Sequence, residues 1–178
     1  MFLEPELIML SEADMERAQR IAIMRNAHKA NRFESKDDRR RSLSDNDMHW
    51  IGVRAEVAIC RKYRFPIDSA MYIKGDGGTA DVYVGELRCE IKSSIHTPPI
   101  IKLNTVAEFT SDILIMTHVG SGRKDSHVTI WGYVTREQFI AEHEIEDFGQ
   151  GPRAIMRPNK FLPHQELDAF VTTYFPMG

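Results

Sequence analysis

The sequence predicts a single α/β domain built on a central mixed β-sheet flanked by helices. Three observations carry this reading. Residues 80–92 have the pattern of a tight β-hairpin. Asp112 to His118 and Val128 to Val134 are rich in β-branched and apolar residues, as strands are. Residues 11–32 and 46–64 place apolar side chains at helical spacing. At 178 residues the chain is long enough to bury a sizeable core and short enough to be one domain. It divides into an N-terminal helix with a basic polar loop (1–45), a core (46–143) and a C-terminal extension (144–178). No internal repeat is evident.

In chain order, Ser11 is an N-cap with Asp14 in the reciprocal capping position, and Ile21, Met24 and Ala27 or His28 form the stripe of the first helix. Residues 33–47 lose periodicity and read as a polar loop holding Arg39-Arg40-Arg41. The second helix carries Ile51, Ala55, Ala58 and Ile59 on one stripe, with Glu56 at its border, and Phe65-Pro66 ends it. Ala70 to Ile73 is a candidate first strand. Gly75 to Gly78 is a flexible approach to the hairpin. Pro98-Pro99 breaks the chain after the hairpin, and residues 100–110 read as either a short helix or a strand. The two strong strands follow, joined by residues 120–126, with His118 and His127 expected to oppose each other. Thr135 caps a short helix reaching about His143. The tail from Phe148 is rich in Pro and Gly and ends in an apolar stretch, Leu167 to Phe175.

The hairpin is the most informative segment. Ala80-Asp81-Val82-Tyr83-Val84 and Leu87-Arg88-Cys89-Glu90-Ile91-Lys92 are separated only by Gly85-Glu86, which suits a two-residue turn. Counting outward, Val84 opposes Leu87, Tyr83 opposes Arg88, Val82 opposes Cys89 and Asp81 opposes Glu90. Side chains alternate faces. Val82, Val84, Leu87, Cys89 and Ile91 therefore form an apolar face, while Asp81, Glu90 and Lys92 share the other. Opposed Cβ atoms lie about 4.5–5.5 Å apart, so two carboxylates there repel unless something positive sits between them. A divalent cation and Lys92 both serve.

Asp81 followed by Glu90-Ile91-Lys92 resembles the PD-(D/E)XK motif of the restriction-endonuclease-like nuclease superfamily. Gly52-Val53-Arg54-Ala55-Glu56-Val57-Ala58 resembles the helix that supplies a further metal-site acid in many of these nucleases. The resemblance covers residues 46–140, with Ala80 standing where the motif has Pro. It implies an αβββαβ core with an extra N-terminal helix, a crossover helix near residues 100–110, and Mg²⁺-dependent hydrolysis of DNA, with Mn²⁺ as substitute. It implies a metal held by Asp81, Glu90 and the Ile91 backbone carbonyl, with Glu56 assisting. Small stand-alone members look like phage, restriction or repair enzymes, and many dimerise.

Carboxylates offer the hard oxygen ligands that Mg²⁺ takes, and Lys92 is placed to orient a water or stabilise phosphorane charge. Each residue also has a plainer reading. Asp81 and Glu90 are then solvent-face residues of an edge hairpin paired with Lys92, and Glu56 only flanks a helix stripe. Ser93 and Ser94 are phosphate contacts or strand-end hydroxyls. Tyr83 and Arg88 extend the active face or form a cation–π pair. The histidines show no metal-ligand spacing, and no phosphate-binding Gly-rich loop or Ser-His-Asp triad is legible.

The net charge of −3 excludes a protein that coats nucleic acid by bulk charge, so DNA contact must be local. The candidates are Arg39, Arg40 and Arg41, and Arg123 and Lys124 between the two strong strands. For each, the alternative is a solvated charge run. The two cysteines, Cys60 and Cys89, read as small buried thiols of a reducing compartment, and no run approaches the length that spans a membrane. The expected setting is the cytoplasm, the host's if the chain is phage-encoded. The competing readings are a catalytically silent DNA-binding or interaction module that keeps the nuclease fold, and a small α/β scaffold in which the motif is accidental.

Overall fold

In the computed structural model the described residues are 4–29, 45–66, 80–84 and 86–174. The expected strand at residues 70–73, the Gly75–Gly78 approach, Gly85 of the hairpin turn and Arg39, Arg40 and Arg41 lie outside them.

The first element is a strand that the sequence reading did not anticipate: β1, Glu6–Met9. Helix α1, Glu12–Lys29, opens on the expected capping box. The Asp14 carboxylate accepts from Ser11 N–H at 2.9 Å, and Ser11 Oγ accepts from Asp14 N–H at 3.2 Å. Its buried stripe is Ala18, Ile21 and Ala22, while Met24 is exposed. The stripe is thus rotated from the expected one, with the small residues turned toward a neighbouring helix. That neighbour is α2, Asp45–Tyr63. It buries Ile51, Ala55, Ala58 and Ile59 as expected, and also Val53, Arg54, Val57 and Cys60. It ends where Arg64 adopts a φ of 56° and Phe65 N–H reaches the Cys60 carbonyl at 2.8 Å, directly before Pro66.

Strands β2, Val82–Val84, and β3, Leu87–Ser94, pair in the register deduced by counting: Val84 with Leu87, Tyr83 with Arg88, Val82 with Cys89. The next segment holds β4, Ile101–Leu103, and a single 3-10 turn at Val106–Glu108. An α-helix does not form there, because Ile101 and Leu103 are buried on either side of exposed Lys102, a period of two rather than 3.6. Strand β5, Ile113–Val119, then runs parallel to β3, and β6, His127–Thr135, runs antiparallel to β5. Thr135 Oγ1 accepts from Gln138 N–H at 3.2 Å, capping α3, Arg136–Glu142, as expected. The C-terminal segment supplies β7, Glu144–Asp147, β8, Pro152–Met156, and α4, His164–Tyr174.

The strands form two sheets. The larger has the order β1-β6-β5-β3-β2 and is mixed, since only the β3–β5 pair is parallel. The smaller is β4-β8-β7 and antiparallel. Alternation gives the large sheet two apolar faces. Val82, Val84, Cys89, Ile91, Ile113 and Ile115 pack with α1, α2 and α4. Leu114, Met116 and Val134 pack with the small sheet, Phe139 of α3, and Phe109 and Phe161. The chain is therefore α/β with a mixed sheet, and residues 144–174 are built into both cores rather than appended to one.

One register expectation is corrected. His118 opposes Thr129, and His127 faces Met9 of β1. Met116 faces Gly132 and Thr117 faces Ile130, so Trp131 is an extra residue that shifts the pairing. Gly132 sits at the bulge with a φ of 147°, where a Cβ would lie 2.5 Å from the Leu162 carbonyl. Among the described residues no helix is long and apolar enough to cross a membrane.

Candidate metal and phosphate site

Asp81 lies where β2 begins. Its carboxylate accepts from the Ile91 N–H at 2.7 Å. The N–H and C=O of one strand residue face the same edge. The Ile91 carbonyl is therefore directed to the same edge of β3 as Asp81, beyond the last β2 pair at Val82–Cys89. Glu90 and Lys92 alternate with Ile91 and stand beside Leu114 and Met116 of β5. Lys92 Nζ lies 2.5 Å from Glu90 Oε1, with the lysine side chain 44% exposed and the glutamate 21%. From α2, Glu56 comes toward Asp81 with both oxygens held by Arg25 of α1, at 2.8 Å each.

The charges converge on Asp81. Burial raises its pKa to about 7, and Glu56 and then Glu90 push in the same direction. The Ile91 N–H and Lys92 oppose them. Glu56, Glu90 and Lys92 are thus all within electrostatic reach of one carboxyl group. Cys60, one turn from Glu56, feels the same field: burial, then Glu56 and Asp81, push its thiol up to about 12. A buried thiol held protonated is no nucleophile. Cys89, equally buried, is also pushed up to about 12 by burial.

The pKa of Asp81 has a consequence for stability. An acid whose folded pKa is raised costs nothing below its unfolded value and destabilises the fold as pH rises toward the folded value. The window is from 3.8 to about 7, and the full cost, on the order of 4 kcal/mol, is present above it. Asp81→Asn keeps an oxygen acceptor for the Ile91 N–H but removes the charge. The metal-free variant is expected to unfold at a higher temperature than wild type at pH 8. The two should converge near pH 4, as a pH series of thermal melts would show. A variant less stable than wild type at pH 8 would contradict the electrostatic account.

The other residues singled out from sequence fall in different places. Arg88 is bound to Asp112 through its backbone N–H at 2.8 Å and two guanidinium contacts at 3.3 Å, so its side chain is directed to Asp112 instead of to the Tyr83 ring. Ser94 Oγ accepts from His96 N–H at 3.0 Å and donates to the His96 carbonyl at 3.2 Å, which is the strand-end role. Arg123 and Lys124 are exposed on the loop between β5 and β6.

Two arginines that hold the fold around the site escaped the sequence reading. Arg25 shares the buried stripe of α1, and Arg54 is fully buried in α2. The signal was the same for both: a cation on the apolar side of a helix is almost always paired. A second cluster also went unread. Ligand atoms of Glu6, His164 and Asp168 all lie within 4.8 Å of one another, the one such set among the described residues. Lys62 already bridges its carboxylates, bonded to Glu6 and 3.0 Å from Asp168 Oδ1, and Tyr63 OH donates to Asp168 at 2.6 Å. That cluster ties β1, α2 and α4 together.

Comparisons of the chain with family models, with curated proteins and with solved structures give no match.

Proposed function

We propose that this protein is a Mg²⁺-dependent nuclease that hydrolyses phosphodiester bonds of DNA, with the restriction-endonuclease-like core that its motif resembles. The observation that carries the reading is the convergence on Asp81. Two further carboxylates and a lysine, from one helix and one strand, surround a half-buried acid at the edge of β3. A purely structural hairpin has no need to draw a half-buried carboxyl group against two others.

The donor set suits a hard divalent cation. Asp81, Glu90 and the Ile91 carbonyl offer oxygen ligands, and a cation among them removes the repulsion that raises Asp81. Glu56, committed through both oxygens to Arg25, retains lone pairs for a bound water, so its contribution is indirect. When bound, the ion would supply an activated water and charge neutralisation at the phosphate. The chain's own residues do the rest. The Ile91 N–H fixes the Asp81 carboxylate, Glu90 holds the Lys92 ammonium at the site, and Lys92 places positive charge where the phosphorane develops.

Lys92→Ala is expected to lower cleavage by roughly 10²–10³-fold while Mn²⁺ binding, read by calorimetry, is retained. Equal loss of both would make Lys92 a counter-ion of Glu90 only. The direct test incubates purified protein with supercoiled, linear and single-stranded DNA in Mg²⁺, Mn²⁺ or chelator. Cleavage only with metal supports the reading, and no cleavage of any form overturns it. One observation favours the silent binding module: Lys92 and Arg25 already neutralise two of the three acids. In that case DNA binds equally well with and without metal and is not cut.

A further inference from the structure

Strand register decides which residues share the face of the large sheet that carries Glu90 and Lys92. Alternation along β3 puts Ser94 on that face too. Ser94 stands beside His118 of β5, His118 beside Thr129 of β6, and Thr129 beside Leu7 of β1. One row of side chains thus crosses four strands on the side where the lysine stands. Farther along β1, Met9 faces His127. The small sheet and α3 pack over Leu114, Met116 and Val134 of the same face. The row beyond them is open: Leu7 is 57% exposed and Met9 51%, while His118 and Thr129 are half-buried.

Trp131 stands where the covered part gives way to the open one. It is the extra residue of the β6 bulge, it packs against the second core, and it stays half-buried. The bulged strand is pinned. Tyr133 N–H donates to the Leu162 carbonyl at 3.0 Å, and Leu162 N–H donates to the Tyr133 carbonyl at 2.8 Å. Bulges beside active sites re-aim a side chain. Lys92 is level with Met116, and Met116 with Gly132, so the tryptophan lies two strands from the lysine, about 10 Å.

The chemistry of this face is stacking rather than charge. Lys92 and Arg88 are matched on it by Glu90 and Asp112. What remains open is an indole, imidazoles and aliphatic side chains. A duplex turns its phosphates outward and keeps its base faces stacked inside. An unpaired strand presents those faces, and aromatic side chains take them whatever the sequence.

We propose that the open half of this face binds a single strand of DNA, with one base stacked on Trp131 and the strand following the row of His118, Thr129 and Leu7 to the phosphate position at Lys92. The proposal rests on the nuclease reading above and names its substrate as unpaired DNA.

The test measures anisotropy of a fluorescent DNA oligonucleotide, single-stranded or annealed to its complement, in chelator, so that no metal or cleavage enters. Wild type should bind the single strand more tightly than the duplex. Trp131→Leu keeps an apolar group against the second core but removes the ring, and should weaken single-strand binding by roughly 10-fold. Trp131→Phe should restore most of it. If Trp131→Leu fails to fold, Leu7→Asp with Met9→Asp leaves the core untouched and puts like charge in the path of the strand, and must also weaken binding. Equal or tighter binding of the duplex would overturn the proposal, as would wild-type affinity in folded Trp131→Leu or in the double variant. A dimer that the double variant dissociates, with oligonucleotide affinity unchanged, would give the face to a second copy instead. Single-strand binding that depends on Trp131 in a protein that never cleaves would sink the nuclease reading and leave this one standing. Metal-dependent cleavage with an unchanged KM in Trp131→Leu would do the reverse.

Discussion

Asp81→Asn and Glu90→Gln are each expected to abolish metal-dependent cleavage, by on the order of 10³-fold or more, while leaving the fold intact. Both replacements keep shape and an acceptor oxygen but remove a negative charge. The two should differ in their metal-free behaviour. Asp81 is the half-buried group against which the other acids push, so its replacement relieves repulsion. Glu90 is paired with Lys92, so its replacement leaves a lysine without that partner. Added Mn²⁺ should raise the unfolding temperature of wild type, since a ligand bound only by the native state stabilises it, and should raise neither variant's. Retained metal-dependent activity in either variant would remove that residue from the site. Loss of activity with an unchanged Mn²⁺ stabilisation would place it in the chemistry but not in the metal shell.

Phe139→Ala should cost about 3–5 kcal/mol of stability, the largest effect expected from a single truncation outside the site. Phe139 of α3 is fully buried in the core to which both the large sheet and the small one contribute. Its ring meets Phe109 edge-on at 5.5 Å and stacks on His143 at 5.8 Å. Truncation leaves a void that the surrounding strands, fixed in register, cannot collapse to fill. Urea denaturation should show a lower midpoint with an unchanged slope. The matched control is Ile145→Ala on β7, where the side chain is 65% exposed, and there the change should stay within about 0.5 kcal/mol. Equal effects at the two positions would mean that the second core is not packed as described.

Local signals in the sequence determined much of this architecture. Residues 82–84 and 87–89 had to pair as they do, because a two-residue turn and a strict alternation leave one register that buries Val82, Val84 and Cys89. Ser11 with Asp14, Thr135 with Gln138, and Phe65-Pro66 after α2 fixed three helix ends through contacts within a few residues. The counted pair of Asp81 with Glu90 does not form: pairing ends at Val82–Cys89, and the Asp81 carboxylate instead accepts from the Ile91 N–H at 2.7 Å.

Only the tertiary structure decided the rest. Strand β1 has four residues and no strong pattern of its own, so it exists because the edge of β6 offers it partners. Strands β4, β7 and β8 are short for the same reason: each is held by its neighbours, and β4 and β8 also by the apolar face of the large sheet, rather than by propensity. Residues 100–110 were ambiguous because three apolar-alternating positions satisfy a strand and a short helix equally until β8 arrives to pair with them. Arg25 meets Glu56 across 31 positions, and Arg54 meets its loop across 66 to 71. No window of local sequence spans such distances. A buried guanidinium announces that it needs acceptors, and only the folded chain determines which carboxylate or which loop carbonyls supply them.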